Sequence, residues 1–165
     1  MSTAFAPKLV APDDGRTVML FGVRFDYKIE SADTGGTVAA LEVEIPPGTL
    51  VKPHTHSRED EFSLVLAGTV GVRIGDTVLE AGQGAYLVKP RATPHAMWNA
   101  GAEPAKVVEI LSPGGLENYF RELAPILKQH GGDAPRRYYE LAERYGITIE
   151  DDWIEELERR YHVKL

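Results

Sequence analysis

Two histidine-bearing clusters, each framed by glycine, set the tightest limit on the shape of this chain. In the first, Gly48, His54, His56, Glu61 and Gly68 are spaced across a short stretch; in the second, Gly84, Pro90, His95 and Asn99 are. Fifteen residues separate the two. Residues two apart in a strand point the same way, so His54 and His56 project together. Pro53 fixes the backbone just before them and suits the start of that strand. The polar run from Ser57 to Asp60 then turns the chain so that Glu61 opens the next strand. On that strand Glu61, Ser63, Val65 and Ala67 share one face, and Phe62, Leu64 and Leu66 the other. His95, Met97 and Asn99 likewise share a face further on. If these strands face a common interior, one pocket receives His54, His56, His95 and Glu61. Three imidazoles and a carboxylate hold a divalent transition ion with positions left open, and open positions are where metal chemistry takes place.

The surrounding sequence supports that placement. Met19, Phe21, Val23, Phe25, Tyr27 and Ile29 alternate with Arg24, Asp26, Lys28 and Glu30, which predicts one strand. Leu41, Val43 and Ile45 alternate with Glu42 and Glu44. Segments 61–67, 69–74, 77–79, 85–88, 95–99 and 105–111 follow, with Gly75-Asp76 as a two-residue hairpin turn. Strands this short, with turns this regular, indicate an antiparallel sandwich or barrel. Closure would remove exposed sheet edges. The composition changes near Gly114-Gly115, beyond which Glu, Arg, Leu and Tyr recur at helical spacing. The expected organisation is mainly β: an N-terminal segment 1–15, a small antiparallel β-barrel over 16–112 and a C-terminal helical extension over 113–165.

In the extension, Leu116, Phe120, Leu123 and Leu127 predict a first helix, which Pro125 kinks or shortens. Pro135 fits the first turn of a second helix, ended by Gly146. Thr148 and Asp151 resemble a capping box for a third, on which Trp153, Leu157 and Tyr161 align. That stripe is expected to pack against the barrel or a partner subunit.

Composition narrows the function. The formal net charge is −7, and no basic stripe offsets it, so nucleic acid is not an expected partner. The chain has no cysteine, which excludes disulfides, thiolate catalysis and iron–sulfur clusters; a metal must be held by nitrogen and oxygen. The apolar stretch from Phe62 to Val72 is short and broken by Ser63, Gly68, Thr69 and Gly71, so no membrane span is expected. The opening MSTAFAPKLVAPDDG lacks a basic segment followed by an apolar core, and the expected compartment is the cytoplasm. Glu59 and Asp60 compete with Glu61 as the acidic ligand, but acidic neighbours in a loop are ordinarily solvated, and Glu61 has the strand position. Asn99 fits either a supporting role beside the metal or plain turn chemistry before Ala100-Gly101. His130 and His162 fall in the helical extension and are expected at the surface.

The two clusters together resemble the paired motifs of the cupin superfamily. Gly48, His54, His56, Glu61 and Gly68 match the first motif, and Gly84, Pro90, His95 and Asn99 the second. Ala92 departs from the pattern, standing where the second motif has glycine. The resemblance covers roughly residues 36 to 112 and implies a double-stranded β-helix, or jelly roll. Ser112-Pro113-Gly114-Gly115-Leu116, running into a helical tail, is also similar to small bacterial cupins described as quercetin-dioxygenase-like.

The resemblance implies one divalent transition metal ion (Fe, Mn, Ni, Co, Cu or Zn) held by His54, His56, Glu61 and His95. It also implies a small dioxygenase acting on an enol, catechol or flavonol-like molecule, with Glu61 as ligand and proton acceptor. Phe21, Phe25 and Met97 would give the interior an apolar lining for such a substrate. A metal-dependent isomerase, cyclase or lyase fits the same residues, and so does a non-catalytic module that binds a small molecule. A homodimer is expected.

Overall fold

The computed structural model describes residues 5–129 and 132–165. In chain order its strands are β1 (Thr17–Leu20), β2 (Val23–Ile29), β3 (Ala39–Ile45), β4 (Thr49–His56), β5 (Asp60–Ala67), β6 (Thr69–Ile74), β7 (Thr77–Gly82), β8 (Tyr86–Lys89), β9 (His95–Asn99), β10 (Ala105–Ser112) and β11 (Ile147–Ile149). They form two sheets, β1-β2-β3-β10-β5-β8 and β11-β4-β9-β6-β7. Every pairing between them is antiparallel. Between the sheets lie Leu41, Val43, Ile45, Val65, Val70, Val72, Val107 and Leu111, all buried.

The expected closed barrel is instead a sandwich of two open sheets, with β1 and β8 as edges of one and β11 and β7 as edges of the other. Helices replace closure by hydrogen bonds at one end. α1 (Glu117–Leu127) packs beside β1, and α2 (Ala134–Arg144) packs on α1 and β11. Apolar burial by helices protects an edge as well as pairing does.

Three local expectations are corrected. The strand expected from Met19 to Ile29 is a hairpin, because Phe21 and Gly22 take positive φ (50° and 80°) in a two-residue turn. Leu20 pairs with Val23, so the inward parity switches: Val18, Leu20, Val23, Phe25 and Tyr27 are buried, while Met19 and Phe21 are exposed. Pro53 lies inside β4 rather than at its start. It has no N–H to give, and the β4–β9 register shifts between Val51 and His54. Thr148 is no helix cap; it sits in β11, whose Ile147 and Ile149 pair with His56 and His54. α3 (Ile154–Tyr161) starts after a 3-10 turn at Asp151–Trp153.

The remaining helical expectations hold in outline. Leu116 and Leu123 are buried, with Phe120 and Leu127 packed against them, and Pro125 lies in the last turn of α1. Pro135 is in the first turn of α2, and Gly146 follows its end at φ 72°. The α3 stripe packs on its own domain: Leu157 lies against Leu50, Ala96, Trp98 and Val163, and Tyr161 stacks on Trp98 at 4.3 Å. Trp98 needs Gly71 opposite it, because a Cβ there would come within 2.2 Å of the indole. Among the described residues, no helix is long and apolar enough to cross a membrane.

Candidate metal centre

Three imidazoles hang from one sheet and meet a carboxylate from the other. His54 and His56 come from β4, and His95 from β9, where it pairs directly with His54. Glu61 enters from β5 across the interior. One ligand atom from each of the four lies within 4.8 Å of every other. The ring centroids are 4.7, 4.6 and 4.9 Å apart for His54–His56, His54–His95 and His56–His95.

The hydrogen bonds orient the rings toward a shared centre. A carbonyl only accepts, so His54 Nδ1–H donates to Lys52 O at 2.6 Å, and His95 Nδ1–H donates to Thr93 O at 3.0 Å. In both rings the Nε2 lone pair is left free. Both ring nitrogens of His56 and Nε2 of His95 are buried without a hydrogen-bond partner. Orphaned buried nitrogens are costly unless something binds them. Oε2 of Glu61 lies 3.4 Å from His56 Nδ1 and 3.5 Å from His95 Nε2. Nitrogen and oxygen donors, converging and unpartnered, fit a divalent transition ion.

Electrostatics prepares the same state. Burial pushes the His56 imidazole down to about 4 and His54 well below its ordinary value, so both are neutral near pH 7 with lone pairs available. Burial, the largest single effect, opposes ionisation of Glu61, but the Lys89 ammonium, His95 and His56 together outweigh it and hold the carboxyl well below the usual range.

The other candidates lie elsewhere. Asp60 accepts from the Arg91 backbone N–H at 2.9 Å and from its guanidinium at 2.7 Å, at the surface. Glu59 is buried, contrary to the expected solvated loop, but does not join the cluster. Asn99 is a turn staple: its amide donates to Ile45 O and Glu103 O, both at 2.9 Å, and its oxygen accepts from Gly101 N. His162 is exposed at the end of α3; His130 lies outside the described residues.

Sequence reasoning missed two groups. The first is a buried polar set on the inner face beside Glu61. The Lys89 ammonium contacts Glu61 Oε1 and reaches Glu109 Oε2 at 2.9 Å, while Ser63 Oγ donates to the same Glu109 oxygen at 2.8 Å. The signal was parity: Lys89 and Glu109 occupy positions in phase with buried Leu87, Val107 and Leu111. The second is the pocket wall. A cleft is lined by Phe21, Phe25, His54, Tyr119, Phe120 and Tyr138, among others. A small inner space adjoins it, and Phe25, Val51, His54 and Phe120 line both. Phe25 and Met97 thus line the interior as expected, while Phe21 stands at the rim, 44% exposed.

Comparison with known proteins agrees with this architecture. Residues 41–111 match the family model described as a Cupin domain. The sandwich has the cupin fold. Germin-like protein 3-1 of Oryza sativa subsp. japonica is 38% identical over 88 residues, 47% of this chain and 38% of that protein. The chain therefore matches well under half the length of this curated relative. Among solved structures, KdgF from Halomonas sp. superposes with a TM-score of 0.60 at 17% identity, covering 68% of this chain and 99% of that one. The polyketide cyclase RemF from Streptomyces resistomycificus gives 0.58 at 22% identity, covering 65% and 80%. At such identities the likeness to both structures is one of fold. The matched range holds all four clustered side chains, and the aromatic wall draws largely on segments outside it.

Proposed function

We propose that this protein is a metal-dependent cupin acting on a small, largely apolar molecule that carries an enol, catechol or flavonol-like oxygen, as a dioxygenase. The observation that carries this reading is the set of unpartnered buried imidazole nitrogens facing Glu61 beside an aromatic-lined cleft. When bound, a divalent transition ion supplies Lewis acidity and, if redox-active, electron transfer. The residues supply the rest. Lys52 O and Thr93 O fix the rings of His54 and His95. Phe25, Phe120 and Tyr138 exclude water and favour a planar apolar ligand. Glu61, kept ionised by Lys89, takes the proton from the substrate hydroxyl.

A non-redox isomerase or cyclase is the second reading, favoured by the buried Lys89–Glu109 pair, which offers further proton-transfer groups without need of oxygen. Elemental analysis of anaerobically purified protein and of His54→Ala tests the metal; equal ion content in the two would end both readings. An oxygen electrode then separates them: turnover with oxygen uptake supports the dioxygenase, and turnover without it supports the cyclase or isomerase. Tight ligand binding with no turnover under any loaded metal supports a binding module instead.

The outer face of the first sheet supports a homodimer. Phe62, Tyr86, Val88 and Ile110 are exposed there, and Phe62 pairs with both Val88 and Ile110. Two copies would cover this face mutually. Light scattering that finds only an 18.2 kDa species would refute the dimer.

A further inference from the structure

Lys89 is 3% exposed on an inner face that also carries the apolar Val65, Leu87, Val107 and Leu111. Burying an ammonium is costly unless partners offset the lost hydration. Lys89 has a carboxyl oxygen as hydrogen-bond partner on two sides. Glu109 Oε2, itself held by Ser63 Oγ at 2.8 Å, accepts at 2.9 Å. Glu61 Oε1 accepts on the other side. The two oxygens of Glu61 therefore face different neighbours: Oε1 meets the ammonium, and Oε2 meets His56 and His95.

We propose that Lys89 is a positioning residue for the metal centre: anchored by Glu109 and Ser63, it occupies Oε1 of Glu61 and leaves Oε2 as the single oxygen offered to the cation. This rests on the metal reading above and deepens it. A carboxylate with both oxygens free can chelate one ion through the pair and use up a coordination position. With Oε1 held, that position stays open for substrate. The same tie makes Oε2 the oxygen available to a substrate proton on the imidazole side.

The test uses the whole chain loaded with one equivalent of Co(II) or Zn(II). In wild-type protein with carboxyl-13C-labelled glutamate, metal-minus-apo infrared difference spectra should show the wide splitting of a one-oxygen carboxylate ligand. In Lys89→Met, the splitting should narrow and the Co(II) visible bands should weaken as coordination number rises. Lys89→Arg, which keeps a cation on Oε1, should restore the wide splitting. A purely structural lysine would lower the melting temperature and leave the spectra unmoved, which would overturn the proposal. So would a narrow splitting in the wild type, a result that needs no variant to fold. Wild-type protein that takes up no cation would overturn the metal reading and this inference together; uptake with a two-oxygen signature would overturn the role of Lys89 alone.

Discussion

The imidazole cluster and the aromatic wall adjoin, yet they are built by different means. The cluster comes from β4, β5 and β9, whose backbone ladders fix His54 opposite His95 and hold Glu61 in register with Lys89. The aromatic wall comes from the β1–β2 hairpin, α1 and α2, segments far apart in the chain and joined by side-chain packing: Phe25 stacks on Phe120 at 4.8 Å, and Phe21 meets Tyr138 edge-on at 6.4 Å. Hydrogen-bonded ladders set positions rigidly and tolerate little change. A packed wall keeps its role through many side-chain exchanges of similar volume. On the proposed function, cation binding and the choice of ligand can therefore vary independently.

The sharpest way to break this separation is to remove one element from each half. His95→Ala should lower cation affinity by more than about 100-fold, beyond the 10–100-fold typical of an outer-shell loss, with little change in the wall. Isothermal titration with Co(II) measures it. Leu123→Ala, on the buried face of α1, should do the reverse: it should cost about 2–5 kcal/mol in urea unfolding and leave cation stoichiometry intact. Loss of cation binding in Leu123→Ala would show that the cluster depends on the wall after all.

Acid should separate the halves again. The His56 imidazole is held down to about 4 in the folded protein, below its ordinary 6.5, so the unfolded chain binds the extra proton first. Its contribution to stability is then fully present above pH 6.5 and is lost as pH falls toward 4. For His56 alone the loss is about 3 kcal/mol, at ~1.4 kcal/mol per unit, and His54 shifts in the same direction. The wall titrates nowhere near this window, since burial pushes Tyr119 up to about 12 and Tyr138 higher still. Urea titrations of metal-free protein at pH 7.5 and 4.5 should show the drop, and the cost of Leu123→Ala should be the same at both. A flat profile would mean that the imidazoles are not desolvated as the geometry has them.

The same division explains what could be read in advance. His54, His56, Glu61 and His95 were legible because strand parity and local glycines constrain each within its own segment, and the structure brings all four together. The turn at Phe21-Gly22 was hidden because alternation runs through it on both sides and only the partner strand shows the switch in parity. Ile147 and Ile149 make too short a run to read as a strand; β11 exists because β4 offers an edge. Lys89 and Glu109 were passed over because their meaning lies in each other and in Glu61, on three different strands. What depends on a single segment was visible, and what depends on segments meeting was not.

Ala92 tests the rigid half at its finest grain. It holds φ 58°, and its N–H donates to the His56 carbonyl at 2.6 Å, fastening the turn before His95 to the end of β4. Left-handed backbone costs a residue with a Cβ about 1–2 kcal/mol. Glycine removes that strain but loses about 0.5–1 kcal/mol more conformational entropy on folding. Ala92→Gly should thus stabilise the protein by no more than about 1.5 kcal/mol, read as a small rise in melting temperature, and should leave cation affinity unchanged. A loss of affinity would mean that the methyl group, and not only the turn, helps to set His56 and His95, so that the ladder alone does not place the ligands.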